Sequence, residues 1–354
     1  MKVQEITEEL LKYLPNANID IVQKAYEYSA KAHLGQSRRS GEAYISHPIE
    51  VARNLVKLKM DENTLAAGLL HDTIEDTLST PEEIQQLFGE EIFQLVDGVT
   101  KISKIQFSSH EENQAENYRK MIFAMAKDIR VVLIKLADRT HNMQTLESLS
   151  EERQRRIARE TIDIYAPIAN RLGIGWLKTE LENGSFRYLY PDEYRAIEEK
   201  VARGQEYRDK YVEKSISRLE KELKLVQING KVAGRPKNYY SIYKKMLDQN
   251  ISFEDVYDLV GLRVLTDSVQ NCYSILGLVH SLWKPIPGKF KEYVAMPKPN
   301  YYQSLHTTVI GPRGERVEVQ IRSEEMHRTC AVSYTHLRAH ETEADLVCRL
   351  LLEK

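Results

Sequence analysis

The chain has 354 residues, 42% of them apolar and 29% charged, a length that favours two or three domains and a composition ordinary for a folded globular protein. A formal net charge of −2 excludes duplex DNA held across the whole surface, and three cysteines supply neither a disulfide framework nor a Cys-x-x-Cys metal knuckle. No apolar h-region follows Met1-Lys2-Val3-Gln4-Glu5 and no 18-residue apolar run occurs, so secretion and a membrane span are not expected and a reducing, cytoplasmic setting is. Residues 5–35 read as helices, with Leu10, Leu11 and Leu14, then Ile21, Val22, Ala25 and Tyr26 at helical spacing around Pro15-Asn16. Gly35-Gln36-Ser37-Arg38-Arg39-Ser40-Gly41-Glu42 is a loop by its glycines and serines. A new helix follows, carrying Ile49, Val51, Ala52, Leu55 and Val56. Pro48 suits its first turn and leaves His47 at the helix mouth with a ring free to ligate, although a lone histidine there is structural or solvated in most proteins.

The next stretch organises the chain. The apolar run Leu65-Ala66-Ala67-Gly68-Leu69-Leu70 reads as a buried helix, and it leads into His71-Asp72-Thr73-Ile74-Glu75-Asp76. On a continuing helix Glu75 lies one turn from both His71 and Asp72. A neutral imidazole beside a carboxylate suits Zn, Mn or Fe, and further acids one turn on suit the handling of a water proton. A polar helix end with solvated caps is the plainer reading. Thr80-Pro81-Glu82-Glu83 starts another helix that runs to about residue 96, with a loop expected from Val99-Thr100-Lys101-Ile102 through 117.

Val131-Val132-Leu133-Ile134-Lys135-Leu136-Ala137-Asp138-Arg139-Thr140-His141-Asn142 repeats the pattern, an apolar helix ending in a polar cluster. Asp138 and Asn142 lie one turn apart. Asp138 either pairs with Arg139 or completes a set with His47, His71 and Asp72, a mixed nitrogen and oxygen set that describes a hydrolytic divalent-metal site.

Residues 145–200 continue helical, with charged surface that reads mostly as solvated face. A helix over about 206–226 carries Val212, Ile216, Leu219, Leu223 and Val226 on one side. Strand and turn are expected over 226–235, a basic helix start with three tyrosines over 235–246, and a strand over 255–265. A helix over 271–283 and strands near 293–296, 305–310 and 316–322 complete an α/β sheet. Glu318, Gln320 and Arg322 share one face of the last strand by the two-residue period. Basic residues at 235, 237, 244, 245, 263, 289, 291, 298 and 322 suit triphosphate binding if the fold gathers them. Asp258 and Glu318 would then hold Mg²⁺ against those phosphates, and Tyr302 would stack on a base. Any one of the tyrosines taken alone is equally a packed core ring.

The order His47…His71-Asp72…Asp138 resembles the HD phosphohydrolase superfamily. The fuller context, His71-Asp72-Thr73-Ile74-Glu75-Asp76 with Lys135-Leu136-Ala137-Asp138-Arg139-Thr140-His141-Asn142-Met143, is similar to the hydrolase domain of long RelA/SpoT homologues. In the second half, Arg235-x-Lys237, Tyr240-Ser241-Ile242-x-x-Lys245-Met246, Tyr257-Asp258-Leu259-Val260-Gly261-x-Arg263, Tyr302-Gln303-Ser304-Leu305-His306-Thr307 and Glu318-x-Gln320-Ile321-Arg322 resemble the synthetase signature of the same family. The likeness covers about residues 5–328.

That resemblance implies a multidomain chain. An all-α HD-type hydrolase domain occupies 1–150, a helical connector 151–205, and an α/β nucleotidyltransferase-like synthetase domain with a mixed sheet 206–328. It implies Mn²⁺ on His47, His71, Asp72 and Asp138, with Glu75 and Asp76 orienting and deprotonating water for attack on the 3′-diphosphate of (p)ppGpp. Arg38 and Asn142 would hold the nucleotide, with Arg39 and Ser40 near its base or phosphates. For synthesis, Arg235, Lys237, Lys245 and Arg263 would grip ATP, Lys298 and His306 the GDP or GTP acceptor, Asp258 the Mg²⁺ and Tyr302 the guanine. Ser241, Asn300, Gln320 and Arg322 complete the expected nucleotide contacts, and Glu318 would take the proton from the ribose 3′-hydroxyl. Both reactions at once make a futile cycle, so the connector is expected to set one site against the other. Contact with the ribosome is expected only through C-terminal domains this chain lacks, and no direct DNA binding is expected.

Two departures qualify the likeness. Family members carry Gly where Tyr301 stands, and a side chain there crowds the guanine pocket or a positive-φ turn. After His327 the chain runs Thr329-Cys330-Ala331-Val332-Ser333-Tyr334-Thr335-His336 to Lys354 and leaves the family pattern, so 329–354 reads as a foreign tail and the synthetase domain as truncated. A hydrolase-only enzyme, or a nucleotide- or ribosome-binding regulator without catalysis, are the competing functions.

Overall fold

The structure, a computed structural model, describes residues 3–103, 128–235, 238–253, 260–298, 300 and 302–331. It divides into two units, residues 3–171 with 176–185, and residues 172–175 with 186–331.

Among its described residues the first unit's regular elements are all helices. Its elements are α1 (Val3–Tyr13), α2 (Ile19–Ala32), α3 (Ser46–Lys57), α4 (Glu62–Leu70), α5 (Thr73–Asp76), α6 (Pro81–Phe88), α7 (Glu90–Ser103), α8 (Ile129–Gln144), α9 (Glu151–Glu160) and α10 (Ala166–Arg171), with a π-helical turn at Thr161–Tyr165. The starts follow side-chain chemistry. Asp61 accepts from the Thr64 backbone N–H, Thr80 accepts from that of Glu83 just ahead of Pro81, and Asp128 accepts from that of Arg130. Every residue of α4 from Thr64 to Leu70 is buried, because α2, α3 and α7 all pack on it. Gly68 makes room for α3, since a Cβ there would lie 2.4 Å from Leu55 Cδ1.

Two local expectations fail here. The helix of 65–70 does not run on through Asp76. It stops at Leu70, and α5 restarts at Thr73. His71 Nδ1 donates to the Gly68 carbonyl at 2.8 Å and Thr73 Oγ1 to the Leu70 carbonyl at 2.6 Å, so side chains occupy the acceptors that a continuing helix would use. Residues 99–102, expected as loop, belong to α7, where Val99 and Ile102 are buried in the core. The rest of that expected loop, 104–117, lies outside the described residues.

The second unit contains α12 (Pro191–Arg203), α13 (Gln205–Leu225), β1 (Gly230–Arg235), α14 (Tyr239–Gln249), β2 (Val260–Thr266), α15 (Val269–Leu282), β3 (Lys284–Pro285), β4 (Lys291–Glu292), β5 (Leu305–Ile310), β6 (Arg316–Ser323) and α16 (Glu324–Ala331), preceded by the end of α11 (Gly175–Leu189). The described strands form one mixed sheet in the order β1-β2-β6-β5-β3, with β4 also on β5. β2 and β6 run parallel and the other pairs antiparallel. One face is apolar: Val232, Leu262, Val264, Leu305, Val309, Val317, Val319 and Ile321 pack with Leu219 and Leu223 of α13 and Ile275 and Val279 of α15. The strand expected near 293–296 is absent. Glu292 accepts from the backbone N–H groups of Val294 and Ala295, which turns the chain after only two paired residues. Tyr239, Tyr240 and Tyr243 of the basic helix α14 are packed rings around Phe186, Tyr190 and Tyr194.

Candidate functional site

In the helical unit, three chain segments deliver polar groups to one buried point. His47 is the second residue of α3, His71 and Asp72 form the turn between α4 and α5, and Asp138 sits in the middle of α8. His47 and Asp138 are each 3% exposed and His71 is 0% exposed. His47 Nε2 lies 3.4 Å from Asp72 Oδ2 and 3.3 Å from Asp138 Oδ1. His71 Nε2 lies 3.0 Å from Asp72 Oδ1 and 4.0 Å from Asp138 Oδ1. Ligating atoms of His47, His71 and Asp138 all fall within 4.8 Å of one another.

The donor set fits a divalent cation. His71 Nδ1 is committed to the Gly68 carbonyl, and its Nε2 is buried, faces the cluster and makes no well-formed hydrogen bond there. Burial pulls the His71 imidazole down, but Asp72 and Asp138 outweigh it and raise it to about 9. In effect a proton balances the two acids where a cation would. Burial alone would raise Asp138 and Asp72. Lys135 and the histidines instead hold Asp138 well below the carboxylate range, and His71 and His47 do the same for Asp72. Asp138 pairs with Lys135 at 2.8 Å rather than with Arg139, which pairs with Glu160 and lies over the Tyr165 ring.

His141, named in the motif but given no role by the sequence, orients the site. Its Nδ1 is 2.9 Å from Arg38 Nη1 and 2.7 Å from His47 Nδ1. Arginine only donates, so His141 Nδ1 accepts, and His47 Nδ1 must carry the proton in their bond. His47 Nε2 thereby faces the two acids of the cluster. Burial, His47 and Arg38 lower His141 to about 3 and keep it neutral. The spacing 138, 141, 142 on one helical face was the available signal. Arg38 Nη2 also donates to Asn142 Oδ1 at 3.0 Å, and Asn142 Nδ2 donates to Asp138. Asp76 and Glu75 are exposed on α5, and Tyr44 Oη contacts both Asp72 Oδ2 at 2.9 Å and Asp76 Oδ2 at 2.5 Å. Arg39 and Ser40 are exposed on the turn beyond Arg38, which the Ser37–Ala43 bridge closes.

In the second unit the sheet's other face is polar. Register places Arg263 beside Gln320 and His306 on the other side of Gln320, with Glu318 and Arg322 two residues away along β6. His306 Nδ1 lies 3.3 Å from Glu318 Oε1, and Arg235 Nη1 lies 3.6 Å from Glu318 Oε2. Arg322 Nη2 donates to Tyr302 Oη at 3.0 Å and to Gln320 Oε1 at 3.2 Å, and Tyr302 Oη lies 2.7 Å from His306 Nε2. Burial lowers His306, so the ring is neutral and passes one polarised chain of hydrogen bonds from Arg322 to Glu318. Burial would raise Glu318, but His306 and Arg235 lower it to about 2. Lys298 Nζ stands 4.8 Å from the Tyr293 ring centroid and 5.4 Å from that of Tyr302. Tyr293 is a member the sequence did not suggest, being one aromatic in a supposed strand. Asn300 Oδ1 accepts from the Tyr302 N–H. Ser241 is exposed and Lys245 half-buried, both on α14. Lys237, Asp258 and Tyr301 lie outside the described residues, as does the tail beyond 331.

Comparison with known proteins follows the same division. Residues 25–175 match the HD domain family, and residues 234–341 match the region found in RelA / SpoT proteins. The chain is 57% identical over 320 residues to a GTP pyrophosphokinase of Myxococcus xanthus, covering 90% of this chain and 42% of that protein. It is 50% identical over 323 residues to the bifunctional (p)ppGpp synthase/hydrolase SpoT of Escherichia coli, covering 91% of this chain and 46% of that protein. The chain thus spans less than half the length of these curated relatives. Among solved structures, a metazoan ortholog of SpoT that hydrolyzes ppGpp is 28% identical with a TM-score of 0.35, over 47% of this chain and 94% of that one.

Proposed function

The chain belongs to the RelA/SpoT homologues, and from that membership we propose a bifunctional alarmone enzyme that hydrolyses the 3′-diphosphate of (p)ppGpp in its helical unit and makes it in its sheet unit. The observation that carries the reading is the buried meeting of His47, His71 and Asp138, with Asp72 against both histidines, around an orphaned imidazole nitrogen.

For hydrolysis, these four residues would hold one Mn²⁺, whose Lewis acidity activates water and neutralises phosphate charge. His141 fixes the His47 tautomer, and Lys135 holds the second oxygen of Asp138. Glu75 and Asp76, exposed on the short helix that follows His71 and Asp72, would take the proton of the attacking water. Arg38 and Asn142 bind the diphosphate, with Arg39 and Ser40 on the nucleotide beyond it. The products are GDP or GTP and pyrophosphate.

For synthesis, Arg235, Lys237, Lys245 and Arg263 bind ATP, Lys298 and His306 the acceptor's phosphates, and Tyr302 the guanine. Ser241, Asn300, Gln320 and Arg322 support those contacts, and Asp258 carries Mg²⁺. Glu318 receives the 3′-hydroxyl proton as that oxygen attacks the β-phosphorus of ATP, the bond from that phosphorus to the α-phosphate oxygen breaks and AMP leaves. Phosphates that draw Arg235 away remove one of the groups holding Glu318 near 2, so substrate binding itself makes the carboxylate a better base. Guanine nucleotides, ATP and (p)ppGpp are the proposed partners. The proposed location is the cytoplasm, in keeping with the finding that no helix among the described residues is long and apolar enough to cross a membrane.

Two incubations test the reading, one with Mn²⁺ and ppGpp, the other with Mg²⁺, ATP and GDP. Release of pyrophosphate in the first and formation of ppGpp in the second are expected. Inertness in both would leave only a nucleotide-binding regulator.

A further inference from the structure

The loop between α2 and α3 reaches both sides of the metal cluster. Arg38 contacts His141 and Asn142 on α8, whereas Tyr44 contacts the acids after α4. Tyr44 is rigidly held for a loop residue. Its ring stacks on His33, with centroids 4.2 Å apart and planes 12° off parallel. His33, 3% exposed, bonds Gln36 through Nδ1 at 2.8 Å, and Gln36 Nε2 donates to the Asp76 carbonyl at 2.8 Å. The Tyr44 N–H donates to the Gln36 carbonyl at 3.2 Å. His33, Gln36, Asp76 and Tyr44 therefore close a ring of contacts, and its one hydroxyl lies between two carboxylates.

We propose that Tyr44 is a positioning residue of the hydrolase centre: its hydroxyl ties the metal ligand Asp72 to the proton acceptor Asp76 and sets the orientation of both. This rests on the metal reading above. Asp72 has two oxygens near the imidazoles, Oδ1 against His71 and Oδ2 against His47. Tyr44 engages Oδ2, which leaves Oδ1 as the oxygen for the cation and opposes two-oxygen chelation. The same phenol proton lies between two acids that would otherwise repel, so Asp76 stays beside the ligand sphere rather than turning to solvent. No other described hydrogen bond reaches the Asp76 side chain.

Tyr44→Phe isolates the effect, since it keeps the ring on His33 and removes only the oxygen. Titration calorimetry of the full chain with MnCl₂ alone should show binding weakened by about 10-fold or more, the usual cost of losing a hydrogen bond to a metal ligand. At saturating Mn²⁺ the paramagnetic resonance spectrum of the bound ion should differ from the parent's, a readout that general loosening of the loop would not produce while the metal-free melting temperature stays unchanged. If Tyr44→Phe binds Mn²⁺ as tightly as the parent with an identical spectrum, the proposal is overturned and the metal reading stands. If the parent itself binds no Mn²⁺, both are overturned.

Discussion

The two polar centres are built on opposite principles. In the helical unit, two histidines and two acids from three distant segments converge in a core where His71 has no exposure at all. On the sheet, Glu318, Gln320 and Arg322 come from one strand by simple alternation, and the Glu318 side chain is 25% exposed. A buried set of four groups around one point suits a single small cation, whose ligands gain from being fixed in advance. A row of forks and rings on an open face suits an extended polyphosphate and a base, whose many contacts need less exact placement individually.

The largest effect that separates the centres should come from His71→Ala. It removes the orphan nitrogen, so Mn²⁺-dependent ppGpp cleavage should fall to background while ATP-dependent synthesis persists. Loss of both activities would mean the centres are not chemically separate. Glu318→Gln is the reciprocal variant. Synthesis should drop by roughly 10²–10⁴-fold, the range for a lost general base, with hydrolysis retained.

A smaller effect probes the buried charge balance directly. Lys135→Met leaves Asp138 without its cationic partner, 4% exposed, and should cost about 3 kcal/mol of metal-free stability in urea unfolding. Added Mn²⁺ should recover part of that loss. A variant as stable as the parent would show that the histidines alone suffice to balance the acid.

The smallest effect is in acid. Glu318 lies at about 2 in the folded chain against an ordinary 4.5, so its contribution is present above 4.5 and is lost as the pH falls from 4.5 towards 2. Stability of Glu318→Gln should therefore depend less steeply on pH across that window than the parent's, measured by denaturant midpoints at successive pH values.

The helical centre was legible because buried apolar helices rarely carry charge, which made His71, Asp72 and Asp138 conspicuous in the chain. His141 was not, because its role depends on the ring that lies beside it, a residue 94 positions earlier. The break at His71 escaped notice for a related reason: the side chains of His71 and Thr73 take backbone carbonyls, a competition that apolar periodicity does not report. Alternation made the polar face of β6 readable. The unbroken apolar run Tyr293-Val294-Ala295-Met296 misled instead, since it sits in a bend made by the Glu292 carboxylate.

Anomalous diffraction from crystals grown with Mn²⁺ tests the central claim most directly. A single peak within coordination distance of His47, His71, Asp72 and Asp138 is the predicted result. No peak among those four side chains, or one that His71 does not reach, would contradict it.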